Sequence, residues 1–438
     1  MSHHLGETMA EKTTWTYDQA SEDELFKAAY GKFHEISFNQ DSPLYSRIKK
    51  NTKFKGKSMT ETIRFSYGSG RGSGSLPGTS RPLYEQVKLE TKKLYCRTSV
   101  DNETFETSKS SLGAFVSMAK EPLEVARIGM VNLLERQIVL GDLAGSGLLG
   151  KTDGGRRGPT GKPLDGAQFA VDLDMAEDMG AALLEPGDIV DLYSPADPPV
   201  RLGSAFIRVI RPSGILALTV YGDDYDGSST SSGDILSVYT QGSKDKELVG
   251  LRGVLNATVG STSGASALYK GIRTHRDQRW DPHQKTIAEA AQGANLNIKK
   301  ELNEAVLDIY DKCGKSPTVV MCNTAVYRLV LDAFEDTKQI LVGGRDKGMK
   351  SVKHGAFLIA GPKGPIPIIH NRYVPEEQLY VLNEDKIELH CRHKPKWLDR
   401  DGTVFLRQKG NDTYEARYAV YCDLLVHPFY QGIVKGVK

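Results

Sequence analysis

The residues 145–152, Gly-Ser-Gly-Leu-Leu-Gly-Lys-Thr, satisfy the G-x-x-x-x-G-K-[ST] spacing of a phosphate-binding loop. In such a loop the backbone N–H groups wrap the phosphates, the lysine neutralises them and the hydroxyl holds Mg²⁺. That chemistry needs a buried strand before the loop and a helix opening directly after it. Here helical periodicity precedes the glycines, and Asp153-Gly154-Gly155-Arg156-Arg157-Gly158-Pro159 follows. The negative end of that helix would face the phosphates. The pattern therefore predicts a helix C-terminus running into a loop at 151–163, with P-loop nucleotide chemistry as the weaker alternative. The G-x-G-x-x-G of Gly145, Gly147 and Gly150 fails the same strand-before, helix-after test.

Three other patterns invite chemistry and fall short of it. Gly222-Asp223-Asp224-Tyr225-Asp226-Gly227 resembles a calcium loop, but glycine holds the first and twelfth (Gly233) ligand positions, which predicts a hairpin turn. In His390-Cys391-Arg392-His393 a strand would put Cys391 and His393 on one face, and two ligands are too few for structural zinc. Neither H-E-x-x-H nor G-x-S-x-G occurs, and no nucleophile sits beside an evident base. No cofactor, metal or catalytic set is expected, and no enzyme.

Composition narrows the class further. The chain has 438 residues, enough for two or three domains, and 57 Lys plus Arg offset 55 Asp plus Glu. A net charge of +2 argues against a protein whose main task is coating nucleic acid. No stretch of about 18 apolar residues offers a membrane span. Met1-Ser2-His3-His4 opens without the apolar core of a signal peptide. Cys96, Cys313, Cys322, Cys391 and Cys422 are odd in number and lack CxxC spacing, as expected of reduced, mostly buried thiols made in a cytosol.

The elements that would position any site begin with an unusual arm. Residues 58–67 alternate polar and apolar, with Met59, Ile63, Phe65 and Tyr67 in phase, which predicts a half-buried strand. A tip follows that is rich in glycine and serine, with Gly70, Arg71, Gly74, Leu76 and Pro77 in it. A second strand-like run, 83–100, brings the chain back. A helix is predicted from Glu121-Pro122 to Gly141. Leu123, Ala126, Met130, Leu133 and Ile138 form its apolar face; Glu124, Arg127, Asn132, Glu135 and Arg136 form its polar face.

Upstream, Arg47, Lys49, Lys50, Lys53, Lys55 and Lys57 make a basic run, read either as a solvated or subunit-facing arm or as a phosphate contact. A short helix is expected within 17–33. Strands expected at 189–193, 205–210, 215–221 and 235–239 suggest a small barrel or sandwich. Beyond a linker at 261–267, Ile298, Leu302, Ala305, Ile309 and Cys313 mark a helix stopped by Gly314 and Pro317. Residues 319–322 read as a buried strand, and Asn323 can cap a helix over 325–334. From Ala356 the chain reads mainly as strands, at 357–359, 366–369, 379–382, 386–389, 404–407 and 414–425.

This order of parts resembles the major capsid proteins of tailed bacteriophages, the Hong Kong 97-type fold, over roughly residues 40–430. Leu379-Tyr380-Val381-Leu382-Asn383, Lys386-Ile387-Glu388-Leu389, Trp397-Leu398-Asp399-Arg400-Asp401-Gly402 and Tyr414-Glu415-Ala416-Arg417-Tyr418 carry the C-terminal texture of such coats. The resemblance implies an α+β capsid fold with a long spine helix, an extended β-hairpin loop, an axial α/β domain and an inserted β-rich domain. It divides the chain into an N-terminal arm (1–52), extended loop (53–111), spine and peripheral part (112–168), β-rich insert (169–259), axial domain (260–384) and C-terminal strands (385–438).

Function follows as an expectation of that resemblance. A self-assembling icosahedral shell would be built in the host cytoplasm from hexamers and pentamers of this chain and end in the virion, around packaged double-stranded DNA held non-specifically. Portal and scaffolding proteins, and a decoration protein, are the further partners it implies. A nanocompartment shell of the same fold, enclosing cargo protein, is the alternative. Phe65, Tyr67, Gly70, Arg71, Gly74, Leu76 and Pro77 would form the self-assembly loop. Some members of the family join subunits by lysine–asparagine isopeptide bonds; here no lysine lies between Lys57 and Lys88, so a non-covalent shell is expected.

Overall fold

The computed structural model describes residues 42–64, 83–102, 112–157, 169–175, 184, 188–194, 199–210, 215–220, 236–257, 268–273, 280–289, 292–293, 296–335, 357–398, 404–407, 410 and 412–438. Five α-helices occur among them: α1 (Pro43–Arg47), α2 (Leu112–Leu140), α3 (Leu251–Leu255), α4 (Ile298–Cys313) and α5 (Thr324–Glu335).

A six-stranded mixed sheet forms the first layer. Its order is His283–Thr286, Gly432–Lys435, Gln378–Leu382, Val319–Cys322, Gly364–His370 and Phe357–Gly361. Period-two alternation sends its side chains into two different cores. Val320, Cys322, Leu379, Val381 and Val434 pack with Ile298, Leu302, Val306 and Ile309 of α4. Val319, Met321, Tyr380, Leu382 and Ile433 face the opposite core, with Met130, Leu134 and Ile138 of α2.

The two helices of this layer start and stop as their sequences dictate. The Asn297 side chain accepts from Lys300 N at 3.1 Å, and Gly314 ends α4 in the left-handed region at φ +65°. Asn323 Oδ1 accepts from Val326 N at 2.9 Å and starts α5.

The second sheet is organised by the long strand Thr413–Val426. Ile387–Trp397 pairs along one edge and Lys92–Asp101 along the other, and Phe405–Arg407 and the parallel arm strand Lys49–Asn51 complete it. A closed barrel is the third body, with neighbours in the order Ser237–Thr240, Leu148–Arg157, Phe169–Met175, Ile215–Val220, Arg201–Ile210 and Ile189–Tyr193. Leu149, Val190, Leu192, Ile207 and Val238 fill its core.

Several local expectations change. The helix expected from Glu121 begins at Leu112, so its 29 residues make a rod of about 43 Å. Pro122 lies inside it and removes one backbone hydrogen bond there. The return run 83–100 is two strands, Tyr84–Glu90 and Lys92–Asp101, broken at Thr91. Only the first pairs with Ser58–Arg64; the second joins the subunit's own sheet. Residues 148–157, expected as helix end and loop, form a barrel strand, with Leu149 in an apolar core that glycine content alone does not reveal.

Beneath the hairpin, the Trp280 ring stacks on Tyr269 at 5.8 Å and meets His427 edge-on at 6.0 Å. Burial, then the nearby Lys386 ammonium, push the His427 imidazole down to about 4. A histidine depressed in the folded state contributes stability above its unfolded value near 6.5, lost as pH falls toward 4. The expected cost of acidification across that window is at most about 3 kcal/mol, at about 1.4 kcal/mol per unit. Urea unfolding of the unassembled His427→Asn variant at pH 7 and pH 4.5 should show a smaller difference than wild type; equal differences would refute it.

Candidate functional site: spine end, arm and loop base

The last turns of α2 are buried on every side. Ala126, Met130, Leu134 and Ile138 recur at helical spacing, as the apolar stripe requires, but Glu135 is 0%, Arg136 8% and Gln137 2% exposed. The expectation of a solvent-facing polar side at Glu135 and Arg136 is corrected: these side chains are internal ties. Periodicity reports where apolar groups point and is silent on which polar groups are buried with partners.

Glu135 holds the arm. Its carboxylate accepts from the first amides of α1, Leu44 N at 3.0 Å and Tyr45 N at 2.6 Å, and from Asn371 Nδ2 at 2.7 Å. A charged acceptor bound by three donors offsets its desolvation. Next to it, Arg136 donates to Thr240 Oγ1 at 3.0 Å on the barrel and to Glu247 Oε1 at 2.6 Å. Gln137 Oε1 accepts from Leu248 N at 3.3 Å. Three consecutive residues thus connect α1, the end of the strand Gly364–His370 in the six-stranded sheet, the barrel and the strap that leads into α3.

Glycines make that strap fit. Gly141 O accepts from Gly250 N at 3.1 Å and Gly253 N at 2.9 Å, so the amides opening α3 cap the end of α2. A Cβ on Gly141, Gly250 or Gly253 would overlap backbone atoms of the facing segment. The phosphate-loop lookalike is part of this cap. Asp142 O accepts from Gly145 N at 3.1 Å and Asp142 Oδ1 from Ser146 N at 2.7 Å, while Gly147 leaves room for the Glu247 side chain. The amides a phosphate would need are bound to Asp142, and a strand, not a helix, follows.

The loop base is docked on its own subunit. Ser58–Arg64 and Tyr84–Glu90 pair from Ser58↔Glu90 to Arg64↔Tyr84, with Val87 and Leu89 fully buried. Glu90 N donates to Asp423 Oδ2 at 2.9 Å and Lys88 N to Lys270 O at 3.0 Å, while Lys270 and Asp423 form a buried ion pair. Phe65, Tyr67, Gly70, Arg71, Gly74, Leu76 and Pro77 lie outside the described residues, as do the calcium-like turn at 222–227 and the helix expected within 17–33. Sequence reasoning missed the anchors Val87, Leu89 and Asp423; the alternation of buried positions in 84–90 was the available signal.

The remaining chemical candidates resolve into packing. A β-bulge separates Cys391 from His393, so they do not share a face: Cys391 is buried opposite Cys422, and His393 lies against the Tyr421 ring at 4.8 Å. All five cysteines are free thiols. Among the described residues no group of three His, Cys, Asp or Glu converges on one point. A cavity of about 300 Å³ between α2, the barrel and Lys92–Asp101 is lined by Tyr95, Cys96, Asn132, Arg136 and Thr240. Burial pushes the Cys96 thiol up to about 11, so it is a protonated thiol there and not a nucleophile. No helix among the described residues is long and apolar enough to cross a membrane.

Three substitutions at two positions test this hub in urea unfolding. Glu135→Ala leaves three buried donors unpaired and should cost about 3 kcal/mol or more, with Glu135→Gln costing less because one oxygen acceptor remains. Gly253→Ala should cost about 1–3 kcal/mol through forced backbone displacement. Losses under 0.5 kcal/mol would show that the spine end is not a structural tie.

Comparison with known proteins agrees with this architecture. Residues 235–400 match the family described as SU10 major capsid protein. The capsid asymmetric unit of cyanophage A-1(L) superposes with a TM-score of 0.51 and 11% identity, over 93% of this chain and 96% of that chain. The capsid of a native GTA particle covers 99% of this chain and 100% of its own at 10% identity (TM-score 0.45). The capsid of Myoviridae phage XM1 covers 92% and 95% at 10% identity (TM-score 0.42). No curated protein matches the sequence. The likeness over 93% of the chain shows a phage-capsid fold, and residues 235–400 are similar to the SU10 major capsid protein family.

Proposed function

We propose that this chain is the major capsid protein of a tailed phage, self-assembling through hexamers and pentamers into an icosahedral shell around double-stranded DNA. The observation that carries the proposal is a capsid-protein fold spanning 93% of the chain, together with the capsid-family match over 235–400. The division into arm, extended loop, spine, β-rich insert, axial domain and C-terminal strands is part of this reading. So is the role of Phe65, Tyr67, Gly70, Arg71, Gly74, Leu76 and Pro77 as the clasp between neighbours.

The physics favours such a clasp. Support comes from the hairpin, which Val87 and Leu89 root up to Arg64 and Tyr84, and from the glycines in the tip sequence, which permit different backbone conformations at quasi-equivalent neighbours. Closed symmetry then repeats each contact many times, so individually weak contacts sum. No lysine occurs in the tip, so the joint is non-covalent. Portal, scaffolding and decoration proteins are the partners such a shell would take.

Expression of the chain should yield closed particles by negative-stain microscopy, containing DNA in the phage and running as monomers on denaturing gels. Covalent ladders would refute the non-covalent joint, and particles filled with cargo protein would favour a nanocompartment shell. Deleting 68–78 should leave a subunit with unchanged circular dichroism that assembles poorly. Normal shells from that deletion would refute the clasp.

A further inference from the structure

The basic run divides in two. Arg47 is paired with Glu384, Lys49 with Glu388 at 2.6 Å, and Lys50 lies half-buried over the Tyr45 ring at 4.2 Å. Lys53, Lys55 and Lys57 are exposed and have no carboxylate partner among the described residues. The chain places them beside a second cationic segment more than 300 residues away in sequence. Asn51 is the register partner of His390, and Glu61 Oε1 lies 3.7 Å from His390 Nε2. The intervening loop therefore leaves and returns to the same point on the strand Ile387–Trp397.

Along that strand Arg392, Lys394 and Lys396 are exposed in alternation, also without a carboxylate partner among the described residues. Lys394 lies close enough to Lys50 to oppose its charge. Neither 52–57 nor 389–397 contains an acidic residue, although the whole chain carries only +2.

From this juxtaposition we propose that Lys53, Lys55, Lys57, Arg392, Lys394 and Lys396 form a binding surface for the phosphate backbone of nucleic acid. On the half formed by the strand Ile387–Trp397, alternate residues such as Arg392 and Lys394 are about 6.6 Å apart, close to the roughly 6.8 Å that two nucleotides rise along one DNA strand. An interface with another protein mixes signs and pairs its charges, whereas these six cations are unpaired with carboxylates among the described residues, the nearby Glu61 and Glu388 lying against His390 and Lys49, which is the footprint of phosphate. The contact is sequence-independent, since strand side chains at this spacing reach backbone charge and no base edge is specified. The proposal assigns the DNA-facing surface within the shell reading above and rests on it.

The test uses unassembled full-length subunit, a fluorescent random-sequence duplex and anisotropy titrations from 50 to 200 mM salt. Six phosphate contacts should weaken wild-type binding about 10³-fold across that range. Lys53→Gln/Lys55→Gln/Lys57→Gln and, separately, Arg392→Gln/Lys394→Gln/Lys396→Gln should each lower the salt slope by about 3, with unchanged circular dichroism and normal shells. The charge-matched control Lys300→Gln/Arg328→Gln/Lys363→Gln should keep the wild-type slope. Wild-type slopes in both patch variants would overturn the proposal. So would normal duplex binding with failed assembly, which would make the surface a contact between copies. Duplex binding localised to the patch in a chain that forms no shells would uphold the surface while refuting the capsid reading.

Discussion

Glu135 is fully buried, and its carboxylate binds two amides of the arm helix and the side chain of Asn371. Few arrangements constrain a chain so strongly. A buried carboxylate without partners is prohibitively costly, so the arm at 44–45, the spine at 135 and the axial segment at 371 must be assembled together. Arg136 and Gln137 extend the same requirement to the barrel and the strap. The three bodies of the subunit meet at the end of one helix. The strap's glycines at 250 and 253 exist because two backbones approach there without room for a Cβ.

The hairpin and the arm are each tied to the body by buried contacts. The hairpin base is pinned by Val87, Leu89 and the Lys270–Asp423 pair, and the arm by Glu135 and by Arg47 on Glu384. Both segments are therefore held at fixed positions on the body.

Much of the fold was legible because local rules and tertiary context agree. Asn297, Gly314 and Asn323 cap helices where their residue types suggest, and the all-apolar 319–322 is a central strand buried on both faces. The barrel strands at 189–193, 201–210, 215–220 and 237–240 followed from short β runs between turn residues, whereas 148–157 did not. The failures are equally physical. His283–Thr286 is an edge strand of polar residues, made at home by Lys285 bridging Glu301 and Glu304 on α4, and no hydropathy pattern marks it. Glycines at 145 and 147 look like a nucleotide loop because both need positive φ beside a crowded backbone. Buried Glu135 and Arg136 read as a solvent face because period alone cannot count hydrogen-bond partners.

The central claim is that the arm, spine end and strap form one cooperative unit. Native-state hydrogen exchange on the unassembled subunit tests it directly at Leu44, Tyr45, Leu248, Gly250 and Gly253. The account predicts that these amides exchange only with global unfolding, at the free energy of the spine's own core amides. Exchange of Leu44 and Tyr45 orders of magnitude faster than the spine would contradict it, because the arm would then be held by nothing that the body needs.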